Sequence, residues 1–133
     1  MLNETSLIID ATRKASRFLQ RDYFELENLQ LSEKGNSFFC KKSHAKALKT
    51  LKDSLSKYSK HVITDIEDIQ KEGLTSTALL VEVLDDVKNF ERALPFFGIM
   101  VTAISCKDGK ISAEISVMNF PALGEIYYAE NGR

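Results

Sequence analysis

Ala78-Leu79-Leu80-Val81-Glu82-Val83-Leu84-Asp85-Asp86-Val87-Lys88-Asn89-Phe90 is the stretch that decides how the chain is read. Its first four residues form an apolar run of the kind that makes a buried strand. Glu82 and Asp85 then fall where that strand runs out into a loop, and Pro95-Phe96-Phe97 follows shortly after. A strand end is rigid and the loop beyond it is exposed, so binding residues are often held there.

Working outward, residues 5–24 carry Leu7, Ile8, Ala11, Ala15, Phe18 and Leu19 at three- and four-residue steps. That spacing predicts an amphipathic helix, with Asn3 or Thr5 as its cap. Residues 26–35 read as a short strand, because Leu29 and Leu31 alternate with polar residues, and Gly35-Asn36 reads as a turn. A second helix is predicted over 43–58. Ala47, Leu48, Leu51 and Leu55 form its buried stripe, and Lys46, Lys49, Lys52, Asp53 and Lys57 its wet side. Residues 62–68 alternate as a strand that ends in acid, and Gly73-Leu74-Thr75-Ser76-Thr77 reads as a surface connection.

Beyond residue 90 the pattern is purely β. Strands are predicted over 96–105 and 111–118, joined by a hairpin turn at Lys107-Asp108-Gly109-Lys110. A loop over 119–124 leads to a last strand over 125–132. The fold class is therefore α+β, with two helices packed on a mainly antiparallel sheet.

With 133 residues, one domain with its own core is expected. The 18 basic and 19 acidic side chains nearly cancel, which argues against a polyanion-binding surface as the main design. Cys40 and Cys106 have no metal-ligand spacing, and reduced thiols in a cytoplasmic protein are the expectation. No apolar stretch is long enough for a membrane helix, so no membrane partner is expected.

The opening stretch resembles the metal-binding signature of the inositol monophosphatase family, Asp-Pro-Ile/Leu-Asp-Gly-Thr-x-Asn-Phe with Pro-x-Phe soon after. Glu82 stands at the first Asp, Leu84 at the apolar position and Asp85 at the second Asp. Asn89, Phe90, Pro95 and Phe97 match at the family's spacing. Val83, Asp86 and Val87 replace its Pro, Gly and Thr. Upstream, Leu29, Gln30, Ser32, Lys34, Gly35 and Phe39 are similar to a run found in the bacterial extragenic-suppressor members. Cys40, Lys41 and His44 stand at the Val, Thr and Asp that follow in those members. The family's Glu-Glu pair falls on Glu67-Asp68 when counted without gaps, or on Asp65 with a small gap; Glu67 is preferred because it needs no insertion. The Asp108-Gly109 hairpin and the strand over 125–132 also have family counterparts. Relatives continue with a second αβ portion that carries a Trp-Asp ligand motif, so residues 1–133 are expected to be a single, truncated domain.

The resemblance implies the N-terminal half of an αβαβα sandwich and Mg²⁺-dependent hydrolysis of phosphate monoesters such as inositol-1-phosphate. Mg²⁺ is a hard ion that takes oxygen ligands. Bound by carboxylates, it neutralises phosphate and lowers the pKa of an attacking water. The implied metal ligands are Glu67, Glu82, Asp85 and the Leu84 carbonyl, with Asp86 and Val87 at the substrate. Val87 lacks the hydroxyl that would orient water. Asp86 turns a negative charge toward phosphate, at a cost on the order of several kcal/mol in a low-dielectric site. Weak Mg²⁺ binding and weak or lost hydrolysis are therefore expected, and no catalytic residue is assigned.

Two other readings stay open. One is a non-catalytic interaction protein tied to transcription and ribosomal RNA processing, as for the extragenic-suppressor relatives. The other is a decayed gene fragment. Without the second portion, a sheet surface is left uncovered, which predicts self-association or a protein partner; nucleic acid is left open. Lys41, Lys42, Lys46 and Lys49 read as a solvated helix face, His44 and His61 as surface residues, and Phe90, Phe96 and Phe97 as core.

Overall fold

The apolar stripe near the start of the chain folds into α1 (Asn3–Leu29), a longer helix than the spacing predicts. Ile8, Ala11, Ala15 and Leu19 are buried along it, and Ile9, Tyr23 and Leu26 extend the buried face. The computed structural model describes residues 1–29, 33–58, 61–71, 75–85 and 87–133, and gives the backbone alone for Glu27, Leu29, Glu33, Gln70, Lys71, Thr75, Ser76 and Asp85.

α2 (Glu33–Leu55) packs beside α1 and ends in a short 3₁₀ turn, Ser56–Tyr58. Ala47, Leu51 and Leu55 are buried, as the pattern predicts. Between the helices Ser43 Oγ donates to Asp22 Oδ2 at 2.7 Å, out of contact with solvent. The strand predicted over 26–35 is not what forms. Leu26 to Leu29 close α1, and Gly35 and Asn36 lie inside α2; Gln30, Leu31 and Ser32 are outside the described residues. Packing outweighs the turn propensity of Gly-Asn. Asn36 Nδ2 donates to the Glu91 carbonyl at 3.2 Å, and Cys40, four residues on, is buried in the main core.

The rest of the chain is β1 (His61–Ile63), α3 (Glu67–Lys71), β2 (Thr75–Asp85), α4 (Val87–Glu91), β3 (Gly98–Lys107), β4 (Lys110–Phe120) and β5 (Glu125–Glu130). The five strands form one sheet in the order β1-β2-β3-β4-β5, parallel only between β1 and β2. The predicted α+β class thus holds, with two long helices on a mainly antiparallel sheet and two short helices added.

Two local predictions need correction. The strand over 62–68 stops at Ile63, because Asp65 Oδ1 accepts the Glu67 amide at 2.9 Å and starts α3. Thr75, Ser76 and Thr77 belong to β2, not to a connection; Gly73 and Leu74 are outside the described residues. The hairpin at Asp108-Gly109 forms as predicted. Both residues have positive φ, 51° and 76°, as a two-residue type I′ turn requires.

α1 and α2 cover one face of the sheet, over Leu79, Val81, Val83, Ile99, Val101, Ala103, Ile115 and Val117. On the other face, Ile69 of α3 closes a smaller cluster with Ile63, Ala78, Ile104 and Cys106. Farther along that second face, Glu82, Met100, Met118 and Tyr127 stand opposite one another across successive strands. Glu82 and Tyr127 there are exposed, and the two methionines are half-buried. A buried bond from Asn119 Nδ2 to Thr12 Oγ1, 3.3 Å, ties β4 to α1. Cys40 and Cys106 are buried and free. No helix among the described residues is long and apolar enough to cross a membrane.

Candidate functional site

The parallel pair sets the geometry. His61, Val62 and Ile63 lie beside Ala78, Leu79 and Leu80, a constant offset of 17. Just past the paired residues, Asp65 and Glu82 line one cavity. In sheets with parallel strands, ligands bind beyond the carboxyl ends of the strands. That is where β1 and β2 both run out.

β2 ends in a bulge. Val83 pairs with Ile99 and Asp85 with Gly98, which leaves Leu84 as the extra residue. Leu84 has φ 56° and is 4% exposed. A left-handed backbone at a bulky residue is uncommon and is tolerated where the surroundings enforce it. Here the buried side chain anchors the bulge, while the extra residue re-aims the backbone at the strand end. Gly98, which pairs with Asp85 across the bulge, permits the close approach of β4 on its other side. A Cβ there would lie 2.7 Å from both the Asn119 carbonyl oxygen and Met118 Cε.

The loop after the bulge is fastened by the residues that match the family motif outright. Asn89 Nδ2 donates to the Phe96 carbonyl at 2.7 Å, and the Leu94 amide to the Asn89 carbonyl at 2.8 Å. Phe90 and Phe97 are fully buried and meet edge to face, with ring centroids 4.9 Å apart. Tyr23 of α1 packs on Phe97 and donates its hydroxyl to the Ala93 carbonyl at 3.1 Å. Asn89, Phe90 and Phe97 are thus structural residues that hold α4 against β2. Phe96, expected in the core, is 61% exposed, because its backbone rather than its ring serves the loop.

A cavity of about 440 Å³ opens beside this strand end. It is lined by His44 and Leu48 of α2, Thr64 after β1, Val81 to Leu84 of β2, and Val87 at the start of α4. A second, of about 370 Å³, shares Thr64, Val81 and Glu82 and adds Asp65, Ile66, Leu80 and Met100. The structure therefore brings Glu82, Leu84 and Val87 to one cavity. Glu67 is exposed at the first turn of α3 and lines neither; Asp65, the gapped alternative, lines the second. The Asp85 side chain and the whole of Asp86 lie outside the description. His44, expected at the surface, is half-buried in the lining. Thr64 carried no signal of its own in the sequence, and Leu48, read there as part of the buried stripe, is half-buried in the lining instead; His44 did carry one, as the residue at a family Asp position.

The oxygen donors near β2 are of the kind Mg²⁺ takes. Among the described residues, no three His, Cys, Asp or Glu side chains come together in a way that could hold a metal ion.

No protein-family model matches the chain. Against curated proteins, it is 30% identical over 128 residues to the inositol-1-monophosphatase of Caulobacter vibrioides, covering 95% of this chain and 49% of that protein. Among solved structures, the extragenic suppressor protein SuhB of Bartonella henselae superposes with a TM-score of 0.71 at 26% identity, covering 99% of this chain and 49% of that one. CysQ of Bacteroides thetaiotaomicron, described as a bacterial member of the inositol monophosphatase family, shares the fold with a TM-score of 0.76 at 18% identity, over 97% of this chain and 46% of that one. The chain spans about half the length of the relatives it matches. In sequence along nearly all its length, and in fold, it corresponds to the N-terminal half of the inositol monophosphatase family.

Proposed function

We propose that this chain is an inositol-monophosphatase-like domain that receives a phosphate monoester, such as inositol-1-phosphate, at the end of β2 and hydrolyses it slowly or not at all. The observation that carries this reading is the shared cavity of Glu82, Leu84 and Val87. A carboxylate and a strand-end backbone face the same space as a side chain without a hydroxyl. Binding groups are retained there, while the position that would orient an attacking water offers only methyl groups. Mg²⁺, weakly bound, is the ion whose chemistry suits Glu82, Asp85 and the Leu84 carbonyl, with Glu67 or Asp65 as a further acid.

The test is phosphate release from inositol-1-phosphate with Mg²⁺. A rate typical of enzymes that Asp85→Asn abolishes would overturn the low-activity reading. With Asp86→Gly and Val87→Thr together, a measurable gain over background is expected. If the double variant gains nothing and isothermal titration shows no Mg²⁺ or substrate binding, the site assignment fails.

The partly exposed row Glu82-Met100-Met118-Tyr127 favours a second reading, a protein-interaction role by self-association through the sheet. Exposed apolar sheet surface of this kind is where subunits associate. Light scattering across a concentration series would show association, and a monomer at every concentration would remove this reading.

A further inference from the structure

Away from the end of β2, a groove of about 530 Å³ runs between the two long helices, lined by Lys14, Arg17, Phe18, Arg21 and Thr50. It shares no lining residue with the cavity of the proposed function. Lys14, Arg17 and Arg21 follow one another at three- and four-residue steps, so they stand in a row on one side of α1. All three are exposed. At 1.5 Å rise per residue, successive charges lie about 4.5 and 6 Å apart along the helix axis. Lys46, also exposed, precedes Thr50 by one turn of α2 and adds a fourth charge on that side.

The row is poorly neutralised. Arg13, next to Lys14, pairs with Asp10 at 3.6 Å. Arg21 shares Asp22 at 3.4 Å, but the other oxygen of that buried carboxylate is held by Ser43. No ion pair joins Lys14 or Arg17 among the described residues. Like charges at this helical spacing disfavour the helix unless an anion answers them. The chain as a whole has a net charge of −1, so the row is a local feature and not the by-product of a basic protein.

Phe18 decides the kind of anion. It is half-buried in the groove, and the Arg21 guanidinium lies over its ring, 5.4 Å from the centre, so an incoming base takes the guanidinium's place on the ring and frees that fork for phosphate. Guanidinium forks take phosphate oxygens two at a time. An aromatic ring beside cations is a platform for stacking nucleobases. An acidic peptide would use the charges and leave the ring idle. We propose that the α1–α2 groove binds single-stranded nucleic acid, its phosphates along Lys14, Arg17 and Arg21 and a base against Phe18.

The test is fluorescence anisotropy with a labelled twelve-nucleotide oligouridine, titrated at several KCl concentrations. Three phosphate contacts predict a log–log salt slope of about −2. Arg17→Gln should weaken binding several-fold and flatten the slope by about 0.7. Phe18→Leu, which keeps an apolar side chain, should weaken oligouridine but leave inorganic polyphosphate unchanged. Lys110→Gln, on the distant hairpin, should change neither. Circular dichroism checks that each variant is folded. The proposal is overturned if oligouridine does not bind at low salt, if Lys110→Gln costs as much as Arg17→Gln, or if polyglutamate competes as well as RNA at equal charge.

Discussion

The Leu2 amide donates to Glu130 Oε1 across 2.6 Å, so the last strand caps the first helix. The Ser6 amide bonds the Leu2 carbonyl at 3.2 Å, which makes Leu2 the cap position, in place of the Asn3 or Thr5 expected from the sequence. A carboxylate there answers both the open amides and the positive end of the helix dipole. The Glu130 carboxyl is held below its usual range, first by the Thr5 hydroxyl and then by the Leu2 amide. Only the amide contact has proper hydrogen-bond geometry, since Thr5 Oγ1 is buried without a partner at bonding distance and angle.

A carboxyl depressed in the folded state stabilises it above its unfolded pKa, and that contribution fades as pH falls through the folded value. Glu130→Gln should therefore lower Tm at pH 7. Its deficit against wild type should shrink as pH drops from about 4.5 toward 2. Thermal melts of both proteins across that range check the sign. A deficit that grows in acid would contradict the cap.

Gly98→Ala should destabilise by about 1–3 kcal/mol, the usual range for forcing atoms into a packed site. The new methyl would meet the Asn119 carbonyl oxygen, a backbone atom that cannot swing aside. Urea unfolding gives the magnitude. A shift of the β2 bulge would appear as chemical-shift changes at Leu84 and Asp85.

Ser43→Ala removes the hydroxyl that donates to buried Asp22 and should cost about 1–3 kcal/mol. Adding Asp22→Ala to it should cost less than the sum of the single changes, because no carboxylate then remains to be satisfied. Additive losses in a double-mutant cycle would show that the pair is uncoupled.

Burial pushes the Cys40 thiol up to about 12, with Glu91 adding to the effect. A raised thiol pKa keeps its stabilisation below the unfolded value near 9 and loses it as pH climbs from there toward 12. Native protein should react slowly with a thiol reagent at pH 8, and denatured protein at once. Cys40→Ala should narrow the loss of stability between pH 9 and 11. Rapid labelling of both cysteines in the native state would contradict their burial.

Legibility in the sequence followed the range of the interactions. The α1 stripe, the 78–81 run and the Asp108-Gly109 turn are local patterns, and each forms as read. The segment around Gly35-Asn36 misleads, because its helix is fixed by contacts with Glu91 and with the core rather than by local propensity. Ile66 to Ile69 mislead likewise, since Asp65 caps a helix where alternation suggests a strand. At the site, Glu82, Leu84 and Val87 could be picked out from a motif. Thr64, Leu48 and the left-handed bulge at Leu84 could not, because they depend on the parallel register of β1 against β2 and on α2 lying alongside.

The bonds from α1 to β4 and β5 also fix an order of events. Thr12 meets Asn119, 107 residues on, and Leu2 meets Glu130, 128 residues on. On a translating ribosome that interval is roughly 6–26 s at 5–20 residues per second. For that time α1 has its partner helix but neither its cap nor its hydrogen bond to the sheet. The β2–β5 meander, built from neighbours in sequence, can close as soon as it emerges. The nascent chain thus exposes the inner face of its helical hairpin until β4 and β5 have emerged, which is the period in which a chaperone would find it.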